Sequence, residues 1–242
     1  MLKIENFEVM GWEHAIRGMR NPMNSWEKSD SGYCVQDLSR DCNSCVHKHT
    51  NYPTCRCGGF DIGPNDYALM KKLRNAGTDH RKFMRMITVY LDITAPLYWW
   101  KEFDTYKVGT VVNSCSTMHK IHEKEFTLED FSCEYLIKES IGELQNVIDK
   151  LNYFRDKFIN WKKSDFLIDN DQQLVDREVI WLQMIQLLPS SYNQKRTVML
   201  NYEVLANIYQ SRKNHKLDEW HTFCHWIDEL PYSELITGYE EE

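Results

Sequence analysis

Glycine and proline are scarce in this chain, at 10 and 6 of 242 residues. Collagen-like and low-complexity chains are built from those residues, so both classes are excluded. Disorder is excluded by what stands in their place. Aromatic residues make up 13% of a 29.0 kDa chain, and bulky rings bury enough area to offset the entropy of ordering. An excess of positive charge is also missing. Lys and Arg total 29 against 36 Asp and Glu, a net charge of −7 with a pI near 5.7. A nucleic-acid polymer demands a basic footprint, so none is expected as partner, although a local basic pocket for a small anion is allowed. No apolar run approaches the roughly 18 residues of a membrane span. The greasiest stretch, Ile93 to Trp100, contains Thr94 and Pro96, so no membrane partner is expected. The start, MLKIENFEVMG, has no basic segment followed by an apolar one, and no signal peptide is read there. These features suit a soluble cytoplasmic protein whose thiols stay reduced.

Local patterns place the elements. Leu2, Ile4, Phe7 and Val9 mark a first strand, and Trp12 to Arg20 a short helix closed by Asn21-Pro22. Residues 24–64 lose apolar periodicity and are dominated by Ser, Asp, Asn, Cys and Gly, the composition of a long loop or insertion. A helix then starts at Asn65 as N-cap, with Asp66 in its first turn, Leu69, Met70 and Leu73 on one face and Gly77 as its stop. Ile87, Val89, Leu91 and Ile93 alternate with polar residues, the period of a strand. Ala95-Pro96 opens a helix carrying Trp99, Trp100 and Phe103. From Ile141 to Trp161 apolar residues recur at 3/4 spacing, and further helices are read at 174–188, 201–210 and 217–230. Strands early and long helices late define an α+β domain. The length allows one or two domains. No repeat divides it, and we expect a single domain over 1–242 with a Cys-rich loop inserted at about 24–64.

Three stretches carry residues with chemistry. Five of the 8 cysteines lie between Cys34 and Cys57. Cys42-x-x-Cys45 puts two thiolates on one turn, and Cys55-x-Cys57 offers a second pair, with His47 and His49 between. Cys42, Cys45, Cys55 and Cys57 are therefore candidate ligands for a structural zinc that would hold a loop without an apolar core. The competing reading is a loop with incidental thiols. Asp79-His80-Arg81-Lys82 sets cationic groups ahead of the main strand, either to meet phosphates or as a solvated helix start. Gly109 to Ser116 is a run of small hydroxyl and amide residues able to present donors to an anion. Cys115 and Cys34 are possible nucleophiles only if their pKa is lowered. Among the histidines, His215 stands out because it follows Arg212 closely.

Together these stretches resemble the flavin-dependent thymidylate synthases. The strand Ile87–Thr94 followed by Ala95-Pro96-Leu97-Tyr98-Trp99-Trp100-Lys101-Glu102-Phe103 resembles that family's unit leading into an Arg-His-Arg signature. Here the signature position reads Thr105-Tyr106-Lys107, and its tail reads Asn113-Ser114-Cys115-Ser116. Leu188-Pro189, Asn201, Asn207 and Arg212 are similar to the family's Leu-Pro stretch and the helix that carries two flavin-contacting Asn and a substrate-contacting Arg. His215 and Trp220 resemble its His-Ala-Gln-Trp segment, Gly77 to His80 its Gly-His-Glu stretch, and Ala15 to Arg20 its first helix. The likeness covers most of the chain outside 24–64.

The resemblance implies a flavin-dependent thymidylate synthase-like fold and a homotetramer whose FAD and dUMP sites draw on several subunits. It implies one-carbon transfer from methylenetetrahydrofolate to C5 of dUMP or a related pyrimidine nucleotide, with hydride from reduced FAD and NADPH as reductant. By position, Arg212 and Ser116 become catalytic candidates, and Glu102, Lys107, Asn113, Ser116 and Arg212 substrate-binding ones. His80, Arg81, Thr105, Tyr106, Lys107, Asn201 and Asn207 become FAD-binding candidates. Glu102 stands where the family commonly has Gln, and Thr105 where it has Arg. Two other readings stay open: a non-catalytic nucleotide- or flavin-binding relative, and an interaction protein organised by a zinc-bound loop.

Overall fold

The computed structural model describes residues 2–33, 60–162, 167–168 and 174–238. In chain order these give β1 (Lys3–Met10), α1 (Trp12–Arg20), β2 (Gly32–Tyr33), β3 (Phe60–Asp61), α2 (Pro64–Asn75), β4 (Thr88–Pro96), α3 (Leu97–Phe103) and β5 (Val111–Ser114). There follow α4 (Lys138–Ile159), β6 (Leu167–Ile168), β7 (Leu174–Val175), α5 (Arg177–Leu187), β8 (Asn193–Asn201), α6 (Tyr202–Arg212), α7 (Asp218–Asp228) and α8 (Glu234–Thr237). Four strands form a sheet in the order β1-β4-β8-β5. The Leu97 amide donates to Tyr192 O and the Tyr202 amide to Ile87 O, so β4 and β8 run antiparallel. This is the α+β architecture read from the sequence. The Cys-rich segment's candidate ligands Cys42, Cys45, Cys55 and Cys57 lie outside the described residues.

Contacts divide the chain into two compact units. The first comprises Met1–Ile4, Asp92–Thr105 and Asn113–Thr197. Its α3 is short and heavily aromatic. Trp99, Trp100 and Phe103 are buried, with Trp99 and Phe103 stacked at 5.1 Å, and the Trp100 indole N–H donates to Gln194 O at 3.0 Å. A further apolar cluster joins Ile121, Phe126, Phe131, Leu144, Ile148, Leu151 and Met184. The 3/4 spacing of α4 puts Leu144, Ile148 and Leu151 on the face turned to α5, whose start is capped by Asp176 through the Val179 amide.

The second unit comprises Glu5–Leu91, Tyr106–Val112 and Val198–Glu242. α1 lies close against the backbone before β4. Gly11 has φ +94 and a side chain there would meet Met86 O at 2.1 Å, so only glycine fits. Trp12 meets Tyr202 edge-on at 5.3 Å, and the Tyr202 hydroxyl donates to Pro231 O. The expected helix after residue 64 forms, but Asn65 is not its cap. Gly63 holds the N-cap position and Pro64 the first turn, while the carboxylate of Asp30 accepts from the amides of Asn65 and Asp66. Gly77, at φ +101, ends it as expected. The two strands β2 and β3 pair antiparallel, Gly32 with Asp61 and Tyr33 with Phe60, so part of the span read as loop is ordered structure.

Candidate functional site

In the second unit, candidate residues gather along α6. Leu205 and Ile208 face the core, which leaves the helix ends and one flank for polar work. At its start the Asn201 carboxamide oxygen accepts from the amides of Glu203 and Val204, both at 3.1 Å. Asn201 is therefore the helix cap. Its nitrogen faces the backbone of Gly109, where a Cβ would come within 2.8 Å of it. Glu203, buried in the first turn of α6, takes Arg85 Nε at 2.6 Å and lies 3.5 Å from Arg81 Nε. Its hydrogen bond and charge push the Arg85 guanidinium pKa up, so that group stays protonated. One turn on, the Asn207 carboxamide oxygen accepts from an Arg81 Nη at 3.3 Å. The charge run Asp79 to Lys82, open to reading as a phosphate contact or a solvated helix start, supplies Arg81 to Glu203 and Asn207. His80 is exposed and its amide bonds Gly77 O.

At the other end of α6, the Arg212 Nε donates to the Tyr106 hydroxyl at 2.9 Å. The guanidinium carbon lies 4.7 Å from the centre of the Trp220 ring and 5.6 Å from that of Tyr106. Trp220 is fully buried on α7. His215 stands edge-on to it at 6.2 Å, and its Nδ1 accepts from the Leu217 amide. Lys107 follows Tyr106 in the same loop and is exposed. The structure thus brings together Tyr106, Arg212, His215 and Trp220, a planar cation walled by aromatic rings.

The remaining candidates belong to the first unit. The Thr105 hydroxyl closes α3 by donating to Glu102 O at 2.7 Å. Asn113 is exposed on β5, and the Ser116 hydroxyl accepts from the His119 amide at 2.9 Å. Arg196 was not foreseen. It lies 4.2 Å over the Trp100 ring and binds Gln194 Oε1 and Asp104 Oδ1 at 2.9 and 2.8 Å. Burial pushes its pKa down, against the pull of Asp104. No local signal marks it, because polar residues dominate the first half of its strand. Glu203 and Arg85 were also missed, and their partnership spans 118 positions.

Among the described residues no cluster of three or more His, Cys, Asp or Glu is placed to hold a metal. Cys115, Cys133 and Cys224 are free thiols. The second unit also holds a cavity of about 360 Å³ lined by Glu13, Arg17, Trp26, Tyr33 and Phe60 among others. None of the ligand-binding candidates above lines it. No described helix is long and apolar enough to cross a membrane.

The fold is that of the flavin-dependent thymidylate synthases, a mixed assembly of helices with an antiparallel sheet. Two solved structures with this fold are of thymidylate synthase X from Helicobacter pylori with FAD and dUMP. One covers 98% of this chain and 97% of its own at 13% identity and a TM-score of 0.58. The other covers 98% and 96%, again at 13% identity, with a TM-score of 0.57. No family model and no curated protein matches the sequence.

Proposed function

We propose that this chain acts on a pyrimidine nucleotide with the help of FAD, moving a one-carbon unit from methylenetetrahydrofolate to C5 of dUMP or a close relative. The observation that supports this is the pairing of a fold shared along 98% of the chain with Arg212 held by Tyr106 and Trp220. A fixed guanidinium suits a ring whose carbonyl oxygen gains negative charge when C5 becomes nucleophilic, because preorganised donors stabilise charge as it develops. On this reading Lys107 gives a point charge to the phosphate and Asn113 a carboxamide to the sugar or phosphate. The Ser116 hydroxyl, whose oxygen receives the His119 amide, has its proton to donate. Glu102 sets which pyrimidine substituent is accepted, since a carboxylate takes N–H donors and repels phosphate.

The donor set fits a flavin in part. His80, Arg81, Lys107 and Asn207 offer imidazole, guanidinium, ammonium and carboxamide groups suited to a diphosphate and ring carbonyls. Asn201 and Thr105 fit less fully: the Asn201 carboxamide oxygen caps α6 and the Thr105 hydroxyl proton goes to Glu102 O, which leaves the Asn201 amide nitrogen to donate and the Thr105 oxygen to accept. Bound there, the reduced flavin would supply hydride, with NADPH as its reductant. The protein's own residues bind, orient and stabilise charge. A homotetramer, a cytoplasmic location, one domain decorated at 24–64 and zinc on the four cysteines complete the proposal.

Thr105, which stands where the resembling family has Arg and whose hydroxyl proton goes to Glu102 O, favours a second reading, a relative that binds the nucleotide without flavin chemistry. Purified protein that is yellow, and that releases tritium from 5-³H-dUMP with methylenetetrahydrofolate and NADPH, supports the enzyme. Tight dUMP binding with neither flavin nor tritium release supports the second reading. Neither binding nor turnover removes both.

A further inference from the structure

The position of Tyr106 by resemblance is a flavin contact, yet its hydroxyl does something else. It accepts the Arg212 Nε–H at 2.9 Å across 106 positions of sequence. The bond lies in the guanidinium plane, while the Trp220 ring, 4.7 Å from the guanidinium carbon, limits tilt. An in-plane bond and a ring contact together leave a planar group little freedom to turn. Trp220 is a firm wall, being fully buried and braced edge-on by Phe223 at 5.9 Å. The loop that brings Tyr106 also passes close to the start of α6. Gly109 takes φ +80 with its Cα against the Asn201 carboxamide. The loop thus runs close to the start of α6 at Gly109 and is bonded to its last turn through Tyr106.

We propose that Tyr106 is a positioning residue for the pyrimidine nucleotide: its hydroxyl, with Trp220 beneath, fixes the guanidinium plane of Arg212. This rests on the pyrimidine-nucleotide reading above. It assigns Tyr106 to the substrate side of the reaction and makes it act through Arg212 rather than on the flavin. A phenol oxygen accepts the Nε–H and keeps its own proton to donate, a combination that phenylalanine lacks and the imidazole of histidine reproduces in part.

The test has two arms on the full chain, using Tyr106→Phe, Tyr106→His and, as a control on α4, Tyr153→Phe. The first arm follows the Arg212 Nε–H resonance, identified by its loss in Arg212→Lys, and its exchange with water. Exchange should quicken by about ten-fold or more in Tyr106→Phe, as expected for loss of a bond to a charged group. It should return toward the starting rate in Tyr106→His and stay unchanged in Tyr153→Phe. The second arm titrates dUMP and FAD separately by calorimetry. Tyr106→Phe should weaken dUMP by roughly ten-fold or more and leave FAD within about two-fold, with Tyr106→His recovering most of the loss. Unchanged dUMP affinity in Tyr106→Phe overturns the proposal. So does loss of FAD alone, which returns Tyr106 to the flavin, or parallel loss of both ligands, which makes it a structural prop. If the unaltered protein takes no dUMP, the pyrimidine reading fails and this role with it. The resonance arm then shows separately whether Tyr106 holds Arg212.

Discussion

Asp66 is fully buried and accepts five hydrogen bonds, from Arg20 Nε, the hydroxyls of Ser29 and Ser31, and the amides of Asp30 and Ser31. Burial opposes its ionisation, but the bonds from Ser31, Ser29 and Arg20 outweigh it and hold the carboxyl below its ordinary 3.8. The unfolded chain therefore takes up this proton first. The stability this group contributes is complete above the ordinary value and drains away as pH falls through the lowered one. Asp66→Asn should cost about 3–5 kcal/mol at neutral pH, because Arg20 is left buried without its counter-charge. The same variant should lose stability less steeply than the parent in acid, which urea unfolding at several pH values will show. An equal acid slope in both proteins would place the effect elsewhere. Cys224 gives a second test. Burial, and then the nearby Asp228, push its thiol up to about 11. At pH 8 only about one molecule in a thousand then carries the thiolate. Iodoacetamide mapped by mass spectrometry should label exposed Cys115 readily and Cys224 only after unfolding.

Elements are legible where the chain's own pattern fixes them and illegible where distant residues do. α1 fills the span read for it, and Pro96 precedes α3 as its N-cap. Both follow from local apolar spacing and a well-placed proline. β8 was missed because its first half reads Asn193-Gln194-Lys195-Arg196-Thr197. Those polar side chains find partners in other elements. Gln194 donates to Cys115 O, Arg196 covers Trp100, and Thr197 donates to Asp92. No periodicity within nine residues announces such pairings. The α2 start shows the same limit, since the carboxylate that accepts its first amides is that of Asp30, 35 positions before Asn65. The candidate site is legible to the same degree. Arg212 is singled out as a candidate by its place after the Leu-Pro stretch and Asn201, but its partner Tyr106 is 106 positions away. Asp30→Ala should cost about 1 kcal/mol by removing the cap. Leu151→Ala, in the buried α4–α5 seam, should cost about 2–5 kcal/mol. Equal costs in denaturant titrations would contradict this ranking of cap and core.

At the scale of the whole molecule, the proposed function calls for a small anionic ligand and not a polyanion. A net charge of −7 repels a polyanion, whereas on the proposed reading one guanidinium, held by Tyr106 and Trp220, would serve a single ring or phosphate. A ligand that binds only the folded state stabilises it by mass action, by about 2.7 kcal/mol at a hundred times its dissociation constant. For a chain of this length that raises the melting temperature by roughly 5–10 °C. dUMP and FAD should each produce a saturable rise, and the two together a larger one. A single-stranded DNA oligomer at the same phosphate concentration should produce none, because its repeated charges meet an acidic surface. Arg212→Lys should abolish the dUMP rise and keep the FAD rise, since lysine cannot reproduce the planar fork against Tyr106 and Trp220. Melting curves that ignore both dUMP and FAD at millimolar concentration would remove the nucleotide–flavin reading. The shared fold would then mark a scaffold put to other use, because a fold by itself does not carry a function.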